Sequence, residues 1–152
     1  MKTSTKIILG AAILALAFIL TYRSINQEPS DSLPKYMQVT AIMENSGCIL
    51  CHNSQPKMPF YANWPLLGGK IKRDMKTAIN TIELKSLYDS IASGGAIDTS
   101  KLSKILTVME EGAMPPLSFT IFRLGSAVKA REAEIVREWA TDNKHLAKVE
   151  ED

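Results

Sequence analysis

The chain has 152 residues, of which 45% are hydrophobic and 22% are charged. That length is enough for one modest core and excludes several large domains. The formal net charge is +2, but three of the 18 basic residues lie in the first 23 positions, so 15 basic side chains face 16 acidic ones in the remainder. This balance predicts neither a nucleic-acid interface nor a polybasic membrane surface.

Residues 1–23 have the pattern of an export signal or a membrane anchor. Lys2 and Lys6 precede an uncharged, mainly apolar run at 7–22, and positive charges before such a run stay on the cytoplasmic side. The run has 16 residues, against the ~20 that span a hydrocarbon core. Cleavage after Ala17 would leave the mature protein with the apolar N-terminus Phe18-Ile19-Leu20. We therefore expect an uncleaved transmembrane anchor in a bacterial inner membrane, with the globular part in the periplasm.

The rest of the chain divides into three parts. Residues 24–32 are polar, contain a proline and lack apolar periodicity, as expected of a short tether. Residues 33–142 carry repeated helical periodicity and form one domain, and residues 143–152 form a charged tail. We see no internal repeat and no low-complexity tract.

The domain is predicted to be all-α, because its apolar residues recur at helical spacing. Asp98 is expected to begin a helix, since its side chain can accept a hydrogen bond from the first turn. The predicted helices are, in chain order, one over 36–43 that leads to Gly47, one or two over 70–92, one from Asp98 to Gly112, and one from near Ser126 to Ala140.

Five consecutive residues carry the clearest chemical signal. Cys48-Ile49-Leu50-Cys51-His52 has the Cys-x-x-Cys-His spacing that attaches a c-type haem. Each thiol can add across one haem vinyl group, and His52 then serves as the proximal iron ligand. The motif uses both cysteines of the chain and one of its two histidines. We expect one covalently bound haem c.

Three other uses of the cysteine pair are less well supported by the sequence than haem attachment. A zinc site normally needs four protein ligands, and the other histidine is the distant His145. A thioredoxin-like redox pair is expected within a βαβ pattern, which the flanking sequence lacks. A disulfide between Cys48 and Cys51 would close a very short loop and would constrain the unfolded chain little.

A methionine thioether fills the sixth iron position in many electron carriers. Met114 is the predicted distal ligand, because it follows a helix, precedes two prolines and lies 62 residues after His52, far enough to reach the opposite face. Met58 also precedes a proline but lies only six residues from His52. His145 and an open or water-filled position are the alternatives. The methionines predicted to fill the core are Met43, Met75 and Met109.

Aromatic and apolar residues follow the motif. They could dry one side of the haem, although core packing explains them equally well. Tyr61 and Trp64 also carry polar tips that could reach a haem propionate. The residues concerned are Phe60, Tyr61, Trp64, Leu66 and Leu67.

Four segments, in this order, resemble the small bacterial haem-binding domain of cytochrome c type, over roughly residues 40–141. They are Cys48 to His52, then 59–65 (PFYANWP), 110–116 (EEGAMPP) and 134–140, which contains Trp139. Similar domains occur fused ahead of di-haem cytochrome c peroxidases. The resemblance implies a cytochrome c-like fold, with Cys48 and Cys51 as attachment points, His52 proximal and Met114 distal.

The chain departs from that family at one place. Related sequences often have a Leu-His type pair after the Met-Pro segment, where this chain has Phe122-Arg123. Arg123 cannot bind iron, but it could neutralise a haem propionate.

The functional prediction is a mono-haem electron carrier with His/Met ligation, which makes or breaks no bond in a substrate. The alternatives are a peroxidase-like module or a ligand sensor, both of which need an open sixth position. No peroxidase domain follows Met114 before residue 152, so we expect separate redox partners, such as a di-haem peroxidase or a respiratory complex, and no nucleic acid.

Overall fold

The computed structural model describes residues 3–25, 28–58, 60–65 and 68–142. This part of the chain consists of eight α-helices and one 3-10 helix, without a strand. The helices are, in chain order, α1 (Thr3–Ile25), α2 (Lys35–Asn45), α3 (Cys48–Cys51), the 3-10 helix (Phe60–Asn63), α4 (Gly68–Thr81), α5 (Lys85–Ser93), α6 (Thr99–Glu110), α7 (Leu117–Phe122) and α8 (Ala130–Asp142). The prediction of an all-α fold is confirmed.

The core lies between four helices. α2 packs against α5 and α8, and α8 also packs against α6. Each helix contributes one apolar face, and burial of its valine, leucine, isoleucine and methionine side chains, at roughly 1.5–3 kcal/mol each, stabilises the packing. The core side chains from these helices are Val39, Ile42, Met43, Leu87, Ile91, Leu102, Ile105, Leu106, Met109, Ala133, Ile135, Val136, Trp139 and Ala140.

Local signals set several helix ends. The Asp98 carboxylate accepts a hydrogen bond from the Lys101 backbone N–H at 3.1 Å, which confirms the predicted cap of α6. The region predicted as one or two helices over 70–92 is two, α4 and α5. α8 begins at Ala130 rather than near Ser126, and the backbone N–H of Lys129 donates to the buried Glu132 carboxylate at 2.9 Å.

The predicted membrane anchor is wrong. α1 covers residues 7–22, but no helix in the described part of the chain is long and apolar enough to cross a membrane. The uncharged run of 16 residues would rise only about 24 Å as a helix, short of a hydrocarbon core of ~30 Å. The predicted location, anchored in an inner membrane with the domain in the periplasm, is therefore wrong as well.

The predicted boundaries at residues 23, 32 and 142 stay predictions. The tail at 143–152, which includes His145, lies outside the described residues. The helices that surround the motif are all described, and they define the site.

Candidate functional site

A cavity of about 440 Å³ lies beside α3. Its walls come from α3, the segment between α4 and α5, one side of α6, the loop at 114–116 and α7. All four residues predicted for the haem site, Cys48, Cys51, His52 and Met114, line this one cavity. Most of the other lining side chains are apolar, and the volume lies in the range of cofactor sites.

The turn at Gly47, just before the motif, sets the direction of α3 along the cavity wall. Gly47 has a φ of 80°, a left-handed conformation that favours glycine. A Cβ atom at this position would also overlap the ring of Phe119. α3 is one turn long, so Cys48 and Cys51, three residues apart, share its face. Both sulfur atoms are therefore presented from the same side.

His52 is held by the backbone of α4 and the segment after it. Its Nδ1 lies 3.1 Å from the Ala78 carbonyl oxygen and 2.9 Å from that of Ile82. A carbonyl only accepts, so Nδ1 must carry the proton, and Nε2 keeps the lone pair that binds a metal. The His52 carbonyl in turn accepts from the Leu84 N–H at 2.8 Å. The imidazole is thus fixed in the tautomer that an iron ligand requires.

Both cysteines are free thiols. Burial raises the pKa of the Cys48 thiol, and the nearby Ser46 hydroxyl, 3.2 Å away, opposes this shift. Burial also raises the pKa of Cys51, and the charge of Cys48 adds to the effect. Because a pKa above the ordinary thiol value leaves the sulfur protonated at neutral pH, neither residue is an activated thiolate.

The loop after α6 carries Met114 back to the cavity. The N–H groups of Ala113 and Met114 donate to the Val108 carbonyl at 3.0 and 3.4 Å. Met114 remains 42% exposed. Met109, only 6% exposed, lines the same cavity, although the sequence predicted it as a core residue alone. Met109 shares a helical face with Ile105, another lining residue, and this spacing was the signal in the sequence that could have placed Met109 at the cavity.

Met58 lies elsewhere. It lines a second cavity of about 340 Å³, formed by the segment after His52 and by α4. The structure therefore does not bring Met58 to the cavity of His52, and Met75 lines the second cavity as well.

Among the described residues, Lys104 is the one lysine, arginine or carboxylate side chain on the wall of the first cavity. It is exposed and forms no ion pair with any residue of the described ranges. An ammonium group at the edge of an apolar cavity can hold the carboxylate of a cofactor. The sequence offered no signal for this residue beyond its place on α6.

Two other residues considered from the sequence, Trp64 and Arg123, are not among the residues that line the cavity. Trp64 is 52% exposed and is not part of the wall. The Arg123 guanidinium donates to the Glu44 carbonyl at 3.1 Å, which ties α7 to the end of α2. The side chains of Phe60 and Tyr61, together with residues 66–67, lie outside the described part.

Two thiols, one oriented imidazole and two thioethers around an apolar cavity in an all-helical fold define a domain suited to a haem. The chain belongs to the family of haem-binding domains, which it matches over residues 11–142. The predicted resemblance to small haem-binding domains is confirmed. The cavity and its donor atoms fit this group, because an apolar wall and an imidazole with a free Nε2 are what haem iron needs from a protein.

The chain is similar to cytochrome c peroxidase Ccp of Escherichia coli (strain K12). The two are 24% identical over 102 residues, which make up 67% of this chain and 22% of the peroxidase. The chain thus spans about a fifth of the length of that relative. No solved structure gives a significant match.

Proposed function

We propose that this protein is a mono-haem c-type cytochrome that carries electrons. Cys48 and Cys51 would attach the haem covalently, His52 would be its proximal ligand and Met114 its distal ligand. The observation that carries the proposal is the fixed tautomer of His52 on the wall of a cavity that both thiols also line. When bound, the haem supplies one-electron chemistry at its iron.

The residues of the chain would do three things. The Ala78 and Ile82 carbonyls hold the imidazole in place, so that it need not reorient when the charge at the site changes. The apolar wall excludes water. Lys104 at the wall would offset the negative charge of a propionate.

Met114 would set the reduction potential. A thioether raises the potential relative to a harder ligand. The hydrogen bonds from residues 113 and 114 to Val108 hold the first part of its loop to α6, and the two following prolines limit the backbone further. A ligand held in this way reorganises little between oxidation states.

A second candidate function is a haem module with an open sixth position, either a ligand sensor or a peroxidase-like site. Two observations favour it. Met114 is 42% exposed, so its thioether is accessible to displacement, and the related E. coli protein is named as a peroxidase.

The proposal is tested by expression of the full chain together with a cytochrome c maturation system. Wild-type protein is expected to show a haem spectrum and to keep its haem on a denaturing gel, as seen by peroxidase-based haem staining. The Cys48→Ala/Cys51→Ala variant should lose all stain, while Met114→Ala should keep it, because that change leaves both thioether bonds intact. A colourless matured wild-type protein, or covalent haem in the double cysteine variant, would contradict the proposal.

A further inference from the structure

Helix α4 carries a cluster of positive charge. Lys72 and Lys76 lie one turn apart, and Arg73 lies three residues before Lys76, so the three side chains share a face. All three are exposed. None forms an ion pair with a residue of the described ranges, whereas Lys70 of the same helix pairs with Asp74 at 2.5 Å. We call Lys72, Arg73 and Lys76 the basic face.

The overall charge hides this cluster. α4 contains four basic residues and one acidic residue. α8 has the opposite character, because four acidic residues face two basic ones there. The near balance of the whole sequence is therefore the sum of regions of unlike sign, and α4 itself carries an excess of three positive charges (four basic residues minus one acidic residue).

The basic face lies close to the candidate haem site. α4 contacts α3, and the Ala78 carbonyl of α4 holds His52. Lys76 precedes Ala78 by two residues, which is a rise of about 3 Å along the helix axis and a rotation of about 200° around it. A molecule bound at this face would therefore be separated from the proximal ligand by about the width of α4.

The second cavity adjoins the same face. Lys72 and Lys76 line it together with Ser54, Pro56 and Met58. Met58 is partly exposed there and offers an apolar contact next to two ammonium groups. Three charges are fewer than the roughly 6–10 phosphate contacts that give nucleic-acid binding its steep dependence on salt. A recess of this mixed character suits a protein surface that presents carboxylates and an apolar side chain.

We propose that the basic face of α4, with the recess beside it, is the docking surface for an acidic protein redox partner. This inference rests on the proposed function as an electron carrier. Its partner is defined by chemistry, as a carboxylate-rich surface that exchanges one electron with the haem through the side of the domain that holds His52.

The first test uses the reduced, haem-loaded full chain and two small oxidants of opposite charge. One electron leaves the ferrous iron and reduces either hexacyanoferrate(III), an anion, or tris(phenanthroline)cobalt(III), a cation, without proton transfer. Lys72→Gln/Lys76→Gln is compared with Lys35→Gln/Arg131→Gln, which removes the same charge on the side of α2 and α8.

At low salt, oxidation by hexacyanoferrate is expected to slow about tenfold in the α4 variant, and the effect should vanish at high salt. The logarithm of this oxidation rate should change less than half as much in the control variant as in the α4 variant. With the cationic oxidant, both substitutions should speed oxidation, and the α4 variant should again show the larger change. Equal effects of the two variants would overturn the proposal, because the overall charge would then account for the rates.

The second test uses poly-L-glutamate as an acidic polypeptide. It is expected to slow hexacyanoferrate oxidation of the wild type and the control variant, but to have little effect on Lys72→Gln/Lys76→Gln. Duplex DNA that competes equally well at the same charge concentration would overturn the assignment to a protein partner. The haem spectrum separates the two proposals. A protein that binds no haem would contradict the proposed function. A normal haem spectrum, with equal oxidation rates in the α4 variant and the control variant, would contradict only the docking surface.

Discussion

Two methionines line the same cavity as the fixed imidazole, and burial distinguishes their roles. Met109 is packed into the core, where removal of a buried methionine side chain costs about 2–5 kcal/mol. A movement of Met109 towards a ligand would lose part of that packing. Met114 is 42% exposed, so it gives up few contacts when it binds. Met114 is therefore the better distal ligand of the two.

Substitution of Met114 is expected to open the sixth position. The wild-type ferric protein should show the weak band near 695 nm expected of sulfur ligation in His/Met haems. Met114→Ala should lose this band, and its ferrous form should gain carbon monoxide binding. Met58→Ala is the matched control, because Met58 lines the other cavity, and it should keep the band. Carbon monoxide binding that is equally rapid in the wild type would instead favour the sensor or peroxidase-like function.

The persistence of a 695 nm band in Met114→Ala would point to Met109. The Met109→Ala/Met114→Ala variant then decides the matter, since Met109 is the other methionine on the described cavity wall. Loss of the band only in the double variant would assign the distal ligand to Met109.

At the scale of elements, α2, α3 and α7 meet at Gly47. The positive φ of this residue turns the chain from the end of α2 into the motif, and Phe119 of α7 fills the space that a side chain would need. The geometry of the cysteine pair thus depends on a contact between segments that are 72 residues apart (119 against 47).

Gly47→Ala is expected to destabilise the domain by more than backbone strain alone. Gly94→Ala is the matched control, because Gly94 has a φ of 71° and nothing lies within 4 Å of a Cβ atom there. The control should lose about 1–2 kcal/mol of unfolding free energy, and Gly47→Ala about 1–3 kcal/mol more from overpacking, as measured by urea denaturation. In a Phe119→Ala background the extra cost of Gly47→Ala should disappear. An equal cost in both backgrounds would contradict the contact argument.

The sequence predicts those elements that depend on neighbouring residues. The apolar faces of α2, α5, α6 and α8 and the Asp98 cap follow from spacing and local hydrogen bonding. The break between α4 and α5 does not, because Ile82 and Leu84 continue the apolar pattern. The tertiary hydrogen bonds of His52 occur at this break. Periodicity cannot show a contact between residues 30 positions apart.

The site divides in the same way. The spacing of Cys48, Cys51 and His52 is a local signal, so their joint place on a cavity wall could be predicted. The contributions of Lys104 and Met109 depend on how α6 is turned towards that wall. Likewise, the composition of the whole chain could not indicate the basic face, because charge balance contains no spatial information.

For the whole molecule, the two glutamates of α8 predict opposite pH dependences of stability. Burial raises the pKa of Glu132, so the folded state holds this proton more tightly than the unfolded state. Unfolding free energy therefore falls as pH rises through the ordinary glutamate range to the folded pKa. The hydrogen bond to Lys35, at 2.6 Å, lowers the pKa of Glu138. The contribution of Glu138 to the unfolding free energy is therefore present above the ordinary glutamate range, and it is lost as pH falls through the folded pKa.

Urea denaturation of the haem-loaded protein between pH 3.5 and pH 7 (a window set by the ~4.3 of an ordinary glutamate) tests this contrast. As pH rises, the wild type should lose stability relative to Glu132→Gln, which cannot ionise, and should gain stability relative to Glu138→Gln. Each variant is the control for the other, because both changes remove one carboxylate from the same helix. A common sign for the two slopes would contradict the argument, since the net charge of the domain would then set the pH dependence instead of the surroundings of each carboxylate.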